Sequence, residues 1–174
     1  MLVNQMPLFI TTSRKPSPTT RRLARWLSLL LGGKSENRGK RGVAEIGERG
    51  LKAGFERVLF VYESHGNPDE LAFLQDGGWL DSIAVRGVEL PSLAQKEGRL
   101  PGLARGKALD AEGERVLDLL LHAQVEAVEG AGAVEVVAGG LEIAFQYRGK
   151  KVGPVIKIAG IRPAPKNAEN AVGG

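Results

Sequence analysis

The chain has 174 residues, 43% of them hydrophobic, with a formal net charge of +4 at pH 7 and no cysteine. This length suits one domain, or two small halves that share a core. The lack of cysteine excludes disulfides and thiolate metal sites. No apolar run is long enough to span a bilayer, and no secretory signal is recognisable, so we expect a cytoplasmic protein.

The charge is segregated along the chain. Residues 1–57 contain 12 Lys and Arg against 4 Asp and Glu, residues 58–149 contain 7 against 15, and residues 150–174 contain 5 against 1. Such segregation indicates a polyanionic partner, although it says nothing about the fold. If the two ends of the chain meet in space, they form one basic surface.

The N-terminal segment is predicted to form a strand, a basic turn and a helix. Residues 8–13 are apolar and rich in threonine, which favours a strand. Ser17 is a good N-cap and Pro18 a good first helical residue, so the helix should begin at Pro18. At 100° per residue the helix has an apolar face (Leu23, Trp26, Leu27, Leu30) opposite a basic one (Arg21, Arg22, Arg25).

Two further cations, Arg14 and Lys15, lie in the turn just before this helix. The free N–H groups and the dipole of a helix N-terminus favour an anion. Together with the three arginines of the helix, these residues form a candidate phosphate-binding surface. A solvated basic face without a ligand is the alternative.

Residues 32–42 are polar and rich in glycine, which predicts a loop. Its Gly33-Lys34-Ser35 piece invites comparison with a phosphate-binding loop, but Ser28 stands where that motif needs its first glycine. We therefore expect a flexible basic arm that becomes ordered on RNA. Its cations would be Arg38, Lys40 and Arg41.

A second helix and a central strand are predicted next. Apolar residues keep a helical spacing up to Gly54: Val43, Ile46 and Leu51. Gly47 and Gly50 weaken such a helix, which indicates close packing or strain. Residues 57–62 form a continuous apolar run, typical of a strand covered on both faces, and we expect it to lie parallel to the first strand.

Polar residues crowd the end of this central strand: Glu63, His65, Asp69 and Glu70. Sites in α/β proteins often lie beyond the carboxyl ends of strands, so a metal or acid–base site is conceivable. However, Asn67-Pro68 is a turn signal, and turns collect polar residues for conformational reasons. We favour a turn, and we expect His122, which lies among leucines, to be packed in a helix.

The segment up to residue 109 is predicted to contain a hairpin and an irregular connection. Residues 71–74 and 83–90 are the hairpin strands, and Asp76-Gly77-Gly78 is the turn between them. Residues 91–109 lack a sustained period, so we expect no regular structure there. The cations of this connection are either additional RNA contacts or solvated: Lys96, Arg99, Arg105 and Lys107.

The last third of the chain is predicted to form a helix followed by strands. Asp110 should cap the helix, whose apolar face comprises Val116, Leu117, Leu120, Leu121 and Ala123. Three strands follow at residues 133–138, 141–147 and 152–161, as an antiparallel meander. Lys150, Lys151, Lys157 and Arg162 form a second basic cluster, and the tail from about residue 163 is expected to fray.

Three motifs resemble those of the Brix-domain family of ribosome biogenesis proteins, in its short archaeal form. The first is TTSRKPS at residues 11–17 with Thr20-Arg21, and the second is Gly66-Asn67-Pro68 with Leu71. The third is Gly153-Pro154 within an apolar run, where this chain has Val155 and longer members have arginine. Any RNA contact of that arginine cannot be carried over. The motifs occur in the family's order, from residue 10 to about 160.

The resemblance implies an α/β fold with mixed sheets. It further implies two small α/β halves, each resembling the anticodon-binding domain of class II aminoacyl-tRNA synthetases. We expect a single Brix domain over residues 1–174, with one half at residues 1–90 and the other at residues 91–174.

The resemblance also implies a non-enzymatic factor that binds rRNA or its precursor in ribosome assembly and rRNA processing. We expect the small subunit as its target, other assembly proteins as partners, and no cofactor, metal or catalytic residue. Two alternatives stay open. One is a protein-interaction scaffold that uses the acidic middle of the chain, and the other is an enzyme acting on RNA or nucleotides.

The candidate RNA contacts are basic residues that neutralise phosphates and release counterions. They are Arg14, Lys15, Arg21, Arg22, Arg25, Arg38, Lys40, Arg41, Lys150, Lys151 and Lys157. Most of the nine aromatic side chains occupy apparent core positions. Base stacking is therefore expected to be secondary.

Overall fold

The structure, a computed structural model, describes residues 2–92, 99–126 and 132–165. Lys96 and the predicted tail beyond residue 165 lie outside these ranges. The helices are α1 Pro18–Leu31, α2 Val43–Lys52 and α3 Ala111–Leu120. The strands are β1 Leu2–Asn4, β2 Phe9–Thr12, β3 Lys34–Ser35, β4 Arg57–Ser64, β5 Asn67–Gln75, β6 Gly78–Trp79, β7 Ser82–Glu89, β8 Ala104–Ala108, β9 Gln124–Glu126, β10 Val134–Gly139, β11 Glu142–Tyr147, β12 Lys150–Lys151 and β13 Val155–Arg162.

Eleven of these strands form one mixed sheet, in the order β3-β2-β4-β5-β7-β13-β11-β10-β8, with β6 on β5 and β12 on β11. β2 is parallel to β4, as predicted, and β4, β5 and β7 are antiparallel. β8 is parallel to β10, and β10, β11 and β13 form the predicted antiparallel meander. The two sets of strands meet where β7 pairs with β13. The mixed α/β class is therefore confirmed.

The helices cover the two faces of the sheet unequally. α1 and α3 share the larger apolar core with one side of the strands, whereas α2 packs with a smaller cluster on the other side. Alternate residues of β4 divide between these clusters, Leu59 and Val61 in the larger and Val58 and Phe60 in the smaller. The central strand is thus covered on both faces, as its continuous apolar run predicts.

The first helix forms as the sequence predicts. It begins at Pro18, and the Ser17 hydroxyl accepts a hydrogen bond from the Thr20 N–H at 3.2 Å. Its apolar residues Leu23, Trp26, Leu27 and Leu30 are buried, and its three arginines are exposed. The chain leaves the helix at Gly32, whose φ of 77° suits glycine.

The second helix forms as predicted and buries Val43, Ile46 and Gly50. A side chain at Gly47 would meet Leu74 at 3.2 Å, and one at Gly50 would meet Val58 at 3.1 Å, so both glycines are closely packed. Leu51, which lies in the last turn and shares the helical spacing of Val43 and Ile46, is by contrast 60% exposed.

Two local predictions between β4 and β8 have different outcomes. The turn favoured at the end of the central strand is confirmed, two residues before the Asn67-Pro68 signal, whereas the absence of regular structure over residues 91–109 is wrong. The turn falls at His65 and Gly66, which have φ of 52° and 80°, and Pro68 lies inside β5. A two-residue hairpin turn of this kind requires positive φ at both positions. The supposedly irregular segment contains β8, whose Gly106 lies so close to Leu117 that a Cβ would approach to 2.8 Å.

The C-terminal Gly153-Pro154 motif packs against α1. Gly153 has a φ of 72°, and a Cβ there would lie 2.9 Å from Leu30 Cδ1 and 3.3 Å from Trp26 Cε3. Only glycine combines this backbone conformation with so close an approach. The break it makes explains why β13 begins at Val155 rather than at residue 152.

We expect Gly153→Ala to destabilise the protein through both effects. The left-handed conformation costs about 1–2 kcal/mol for alanine, and the overpacking against α1 a further 1–3 kcal/mol or so. Gly149→Ala is the matched control, because Gly149 has a φ of 75° and no atom within 4 Å of its Cβ position. Equal losses in unfolding free energy by urea denaturation would contradict the close packing on α1.

Candidate nucleic-acid interface

The turn between β2 and α1 presents two cations to solvent. The Ser13 N–H donates to the Val61 carbonyl at 3.1 Å, which fixes the end of β2 beside β4. Lys15 then adopts a φ of 53°, and both Arg14 and Lys15 are exposed. Arg14 extends toward the start of α2, since a Cβ at Gly42 would be 3.8 Å from its Nη2.

The outer face of α1 carries three exposed arginines, Arg21, Arg22 and Arg25. Within the described ranges, no carboxylate lies within 4 Å of these guanidinium groups or of the cations of the preceding turn. Five cations, two in the turn before α1 and three on its outer face, are therefore open to an external anion. Arginine binds phosphate in a bidentate geometry, which suits such a surface.

The N-terminus of α1 already holds an anion, the carboxylate of Glu63 from β4. The Ser17 N–H donates to Glu63 Oε2 at 3.1 Å and Oε1 at 3.2 Å, and the Thr20 hydroxyl donates to Oε2 at 2.5 Å. The Ser17 hydroxyl in turn donates to the Gly66 carbonyl at 2.8 Å. The chain thus supplies the charge that the helix end favours, and an external phosphate must be held by side chains.

This environment keeps Glu63 ionised. Burial raises the pKa of Glu63, but the hydrogen bonds from Thr20 and Ser17 lower it by more, so that the pKa lies below its ordinary value of 4.5. A carboxylate with a lowered pKa that already accepts hydrogen bonds from two donors is poorly suited to act as a general acid or base. Its role is to fasten α1 to the β4–β5 hairpin.

Arg38 does not form the flexible arm predicted for residues 38–41. Its side chain is buried, with its guanidinium carbon 5.3 Å from the centroid of the Phe60 ring. It donates to the Arg41 carbonyl at 3.0 Å and to the Thr12 carbonyl at 3.4 Å. Sequence reasoning missed this role, because a buried arginine between glycines has no periodic signature.

The other two cations of this loop differ from each other. Arg41 is half-buried and donates back to the carbonyls of Asn37 and Arg38 at 3.2 and 3.4 Å, whereas Lys40 is exposed. The loop is also fixed at its start, where β3 pairs with β2 and the Thr11 hydroxyl donates to the Glu36 carbonyl. Of the three predicted arm residues, Lys40 presents its charge to solvent most openly.

The second basic cluster lies at the turn between β11 and β12. Lys150 and Lys151 are exposed there, and Arg148 lies over the Tyr147 ring at 5.1 Å from its centroid. Arg148 was absent from the predicted contacts, although Arg148-Gly149 was recognised as a turn. Lys157 lies apart on β13, with its Nζ 3.8 Å from a Glu89 oxygen.

A groove of about 760 Å³ joins this cluster to α1. Trp26 of α1 forms one wall, with its indole N–H donating to the Pro91 carbonyl at 3.0 Å. The remaining apolar lining is Leu90, Leu100, Tyr147, Val152 and Val155, and the charged lining is Glu89, Arg148, Lys150 and Lys151. The second basic cluster therefore lies beside α1, which contributes Trp26 to the lining of the groove.

In the described part of the chain, no group of three or more His, Asp or Glu could hold a metal ion. His65 is exposed at the hairpin tip. His122 follows the end of α3, with Nε2 at 3.1 Å from Glu56. Over the described ranges, no helix is long and apolar enough to cross a membrane.

No family model matches the chain. It is 30% identical over 172 residues to a probable Brix domain-containing ribosomal biogenesis protein of Aeropyrum pernix, covering 86% of this chain and 93% of the relative. The protein of the same name from Methanosarcina barkeri is 40% identical over 101 residues, covering 50% of this chain and 62% of that protein.

Solved structures give the same likeness over most of the chain. The crystal structure of a probable ribosomal biogenesis protein from Aeropyrum pernix K1 matches with a TM-score of 0.72 and 26% identity, covering 94% of this chain and 98% of that one. Mil, an archaeal Imp4-like protein, matches with a TM-score of 0.66 and 24% identity, covering 90% and 99%.

We expect Glu63→Gln to lower the unfolding free energy by about 1 kcal/mol at neutral pH, because the helix end loses a charged acceptor. Since the pKa of Glu63 is lowered by folding, its stabilising effect is complete above its ordinary pKa of 4.5 and is lost as the pH falls through the folded value. The difference between variant and wild type should therefore shrink in acid.

Urea denaturation over a pH series measures this effect. Asp69→Asn is the control, because it removes a charge from the same hairpin, and the Asp69 side chain has no hydrogen bond to another described residue. A Glu63→Gln variant as stable as wild type at every pH would refute the fastening role.

Replacing Arg38 tests the loop. Arg38→Met should cost about 1–3 kcal/mol of unfolding free energy, because the Thr12 and Arg41 carbonyls lose a charged donor. Lys40→Met removes the same charge from an exposed site and should change the stability by less than about 0.5 kcal/mol. Similar melting temperatures for the two variants would show that Arg38 does not fix the loop.

Proposed function

The chain belongs to the Brix domain-containing ribosomal biogenesis proteins, and we propose that it binds rRNA or its precursor as a non-enzymatic factor in the assembly of the small ribosomal subunit. Other ribosome assembly proteins are its proposed further partners. The relatives support a role in ribosome biogenesis, and the exposed basic surface supports RNA as the ligand.

The observation that carries this proposal is the α1 surface, which we define as Arg14, Lys15, Arg21, Arg22 and Arg25. All five side chains are exposed, and they project from a turn and a helix that Glu63 fastens to the sheet. Cations on a rigid support can bind a nucleic-acid backbone without the entropy cost of ordering a loop. A folded RNA presents such a backbone at high charge density.

The second basic cluster strengthens the case for a long polyanion. The groove beside Trp26 has Lys150 and Lys151 in its lining, so this cluster adjoins the helix that carries the α1 surface. A ligand with one or two phosphates would need only one of these clusters. A strand of RNA can contact both.

The enzymatic alternative has less support. Glu63, one of the carboxylates at the end of β4, is engaged at the N-terminus of α1, and His65 is exposed at the hairpin tip. Enzymes that act on RNA need a positioned acid–base pair or metal ions. We therefore propose binding alone.

We expect the triple variant Arg21→Gln, Arg22→Gln, Arg25→Gln to bind RNA weakly. With about five contacts on single-stranded segments, log affinity against log salt should have a slope of about −3.5 or steeper for wild type. Removing three contacts should reduce the steepness by about 2. Fluorescence anisotropy with labelled rRNA fragments over a salt series measures both quantities.

The matched control is Lys52→Gln, Arg86→Gln, Arg115→Gln, which removes three exposed cations from α2, β7 and α3. This control should keep the wild-type slope. If both triple variants bind RNA equally weakly, the loss of affinity reflects net charge and not the α1 surface. If wild type does not bind RNA, the proposal is rejected. Small-subunit fragments should bind about tenfold more tightly than large-subunit fragments of equal length, and equal affinity would reject only the small-subunit assignment.

A further inference from the structure

We infer that the groove between α1 and the β11–β12 turn binds one unstacked nucleotide of a single-stranded RNA segment. This inference rests on the proposed function and names the RNA feature that the protein recognises. The volume of about 760 Å³ falls within the usual range of pockets for small organic groups. The lining combines an apolar wall for a base with cations for its phosphates.

The apolar wall is preformed. Trp26 is almost fully buried and is held by its hydrogen bond to Pro91, so the wall that it forms cannot collapse into the groove. Tyr147, Val152, Leu90 and Leu100 pack partly buried against the main core, so each has one side fixed and another toward the groove. A base entering here meets a surface that needs no rearrangement.

The Tyr147 ring offers a stacking platform. The planar guanidinium of Arg148 already lies 5.1 Å from the ring centroid, which shows that this ring face is accessible to a planar group. Bases stack on such rings whatever their sequence, because every base has a π face. A base takes the place of the guanidinium, and the released Arg148 pairs with the phosphate beside it.

The charge of the lining selects the ligand. Arg148, Lys150 and Lys151 outnumber the single carboxylate of the lining, Glu89, which lies near Lys157. An apolar molecule would leave these cations without partners, and a free phosphate would leave the apolar wall wet. A nucleotide satisfies both at once, so we argue for RNA rather than for an acidic peptide.

The position of the groove also fits a strand that continues along α1. Arg22 precedes Trp26 by four residues, so this member of the α1 surface lies about 40° from Trp26 around the helix axis, one turn nearer the helix N-terminus. RNA whose phosphates follow the α1 surface is thus directed toward the groove. One nucleotide inserted there would fix the register of the strand.

The experiment uses the full chain and a labelled oligouridine of about twelve nucleotides, a length within the site sizes of single-strand binders. Tyr147→Leu should weaken binding about fivefold or more without changing the salt slope, whereas Tyr147→Phe keeps the ring and should bind like wild type. Lys150→Gln with Lys151→Gln should instead reduce the steepness of the slope by about 1.4.

An abasic oligonucleotide of equal length isolates the base. Wild type should bind it about fivefold or more weakly than oligouridine, and Tyr147→Leu should bind both alike. Thermal unfolding confirms that each variant is folded, and the Tyr147→Phe comparison holds even if Tyr147→Leu is destabilised. Equal binding of oligouridine and the abasic chain by wild type would overturn the inference.

Other outcomes separate the two proposals. If Tyr147→Leu binds oligouridine normally while the triple arginine variant of α1 does not, the nucleotide site is rejected and the proposed function stands. If wild type binds neither oligouridine nor the abasic oligonucleotide, both proposals fail. If a copolymer of glutamate and tyrosine displaces oligouridine, and wild type binds abasic RNA as tightly as oligouridine, the nucleotide site is rejected in favour of a protein ligand.

Discussion

The contact of Glu63 with the first turn of α1 sets the position of the basic surface. One carboxylate accepts the Ser17 N–H and the Thr20 hydroxyl, so the helix that carries three arginines is tied to the central hairpin. The ionised carboxylate also satisfies the helix dipole. Phosphates must then be bound by the side chains of the α1 surface alone. These side chains can contact successive phosphates of an RNA backbone rather than a single anion.

A second constraint brings the ends of the chain together. β7 pairs with β13, which merges two sets of strands into one sheet, and Gly153 lets the chain pass against Leu30 and Trp26. Sequence alone shows only that positive charge lies at both ends. Their meeting is a property of the topology, since it requires a pairing between strands that are far apart in the chain.

What the sequence predicts well is local. Ser17 and Pro18 define where α1 begins, and periodicity separates its arginines from its leucines, because caps and helical faces depend on neighbours within two turns. β8 was missed, since an Ala-Arg-Gly-Lys-Ala edge strand has no apolar alternation. Arg38 and Glu63 were misjudged because their partners lie 26 and 46 residues away. The likeness of each half to an anticodon-binding domain stays a prediction.

The aromatic residues show how the fold changes a role that the sequence suggests. A tyrosine at the end of an apolar strand is most simply assigned to the core, and that assignment made stacking seem secondary. Tyr147 is instead only partly buried, because the strand ends there and the chain turns through Arg148 and Gly149. A residue at the margin of a core has one packed face and one free face. Packing against the core fixes the ring. A base can therefore stack on it while the neighbouring cations bind the phosphates of the same nucleotide.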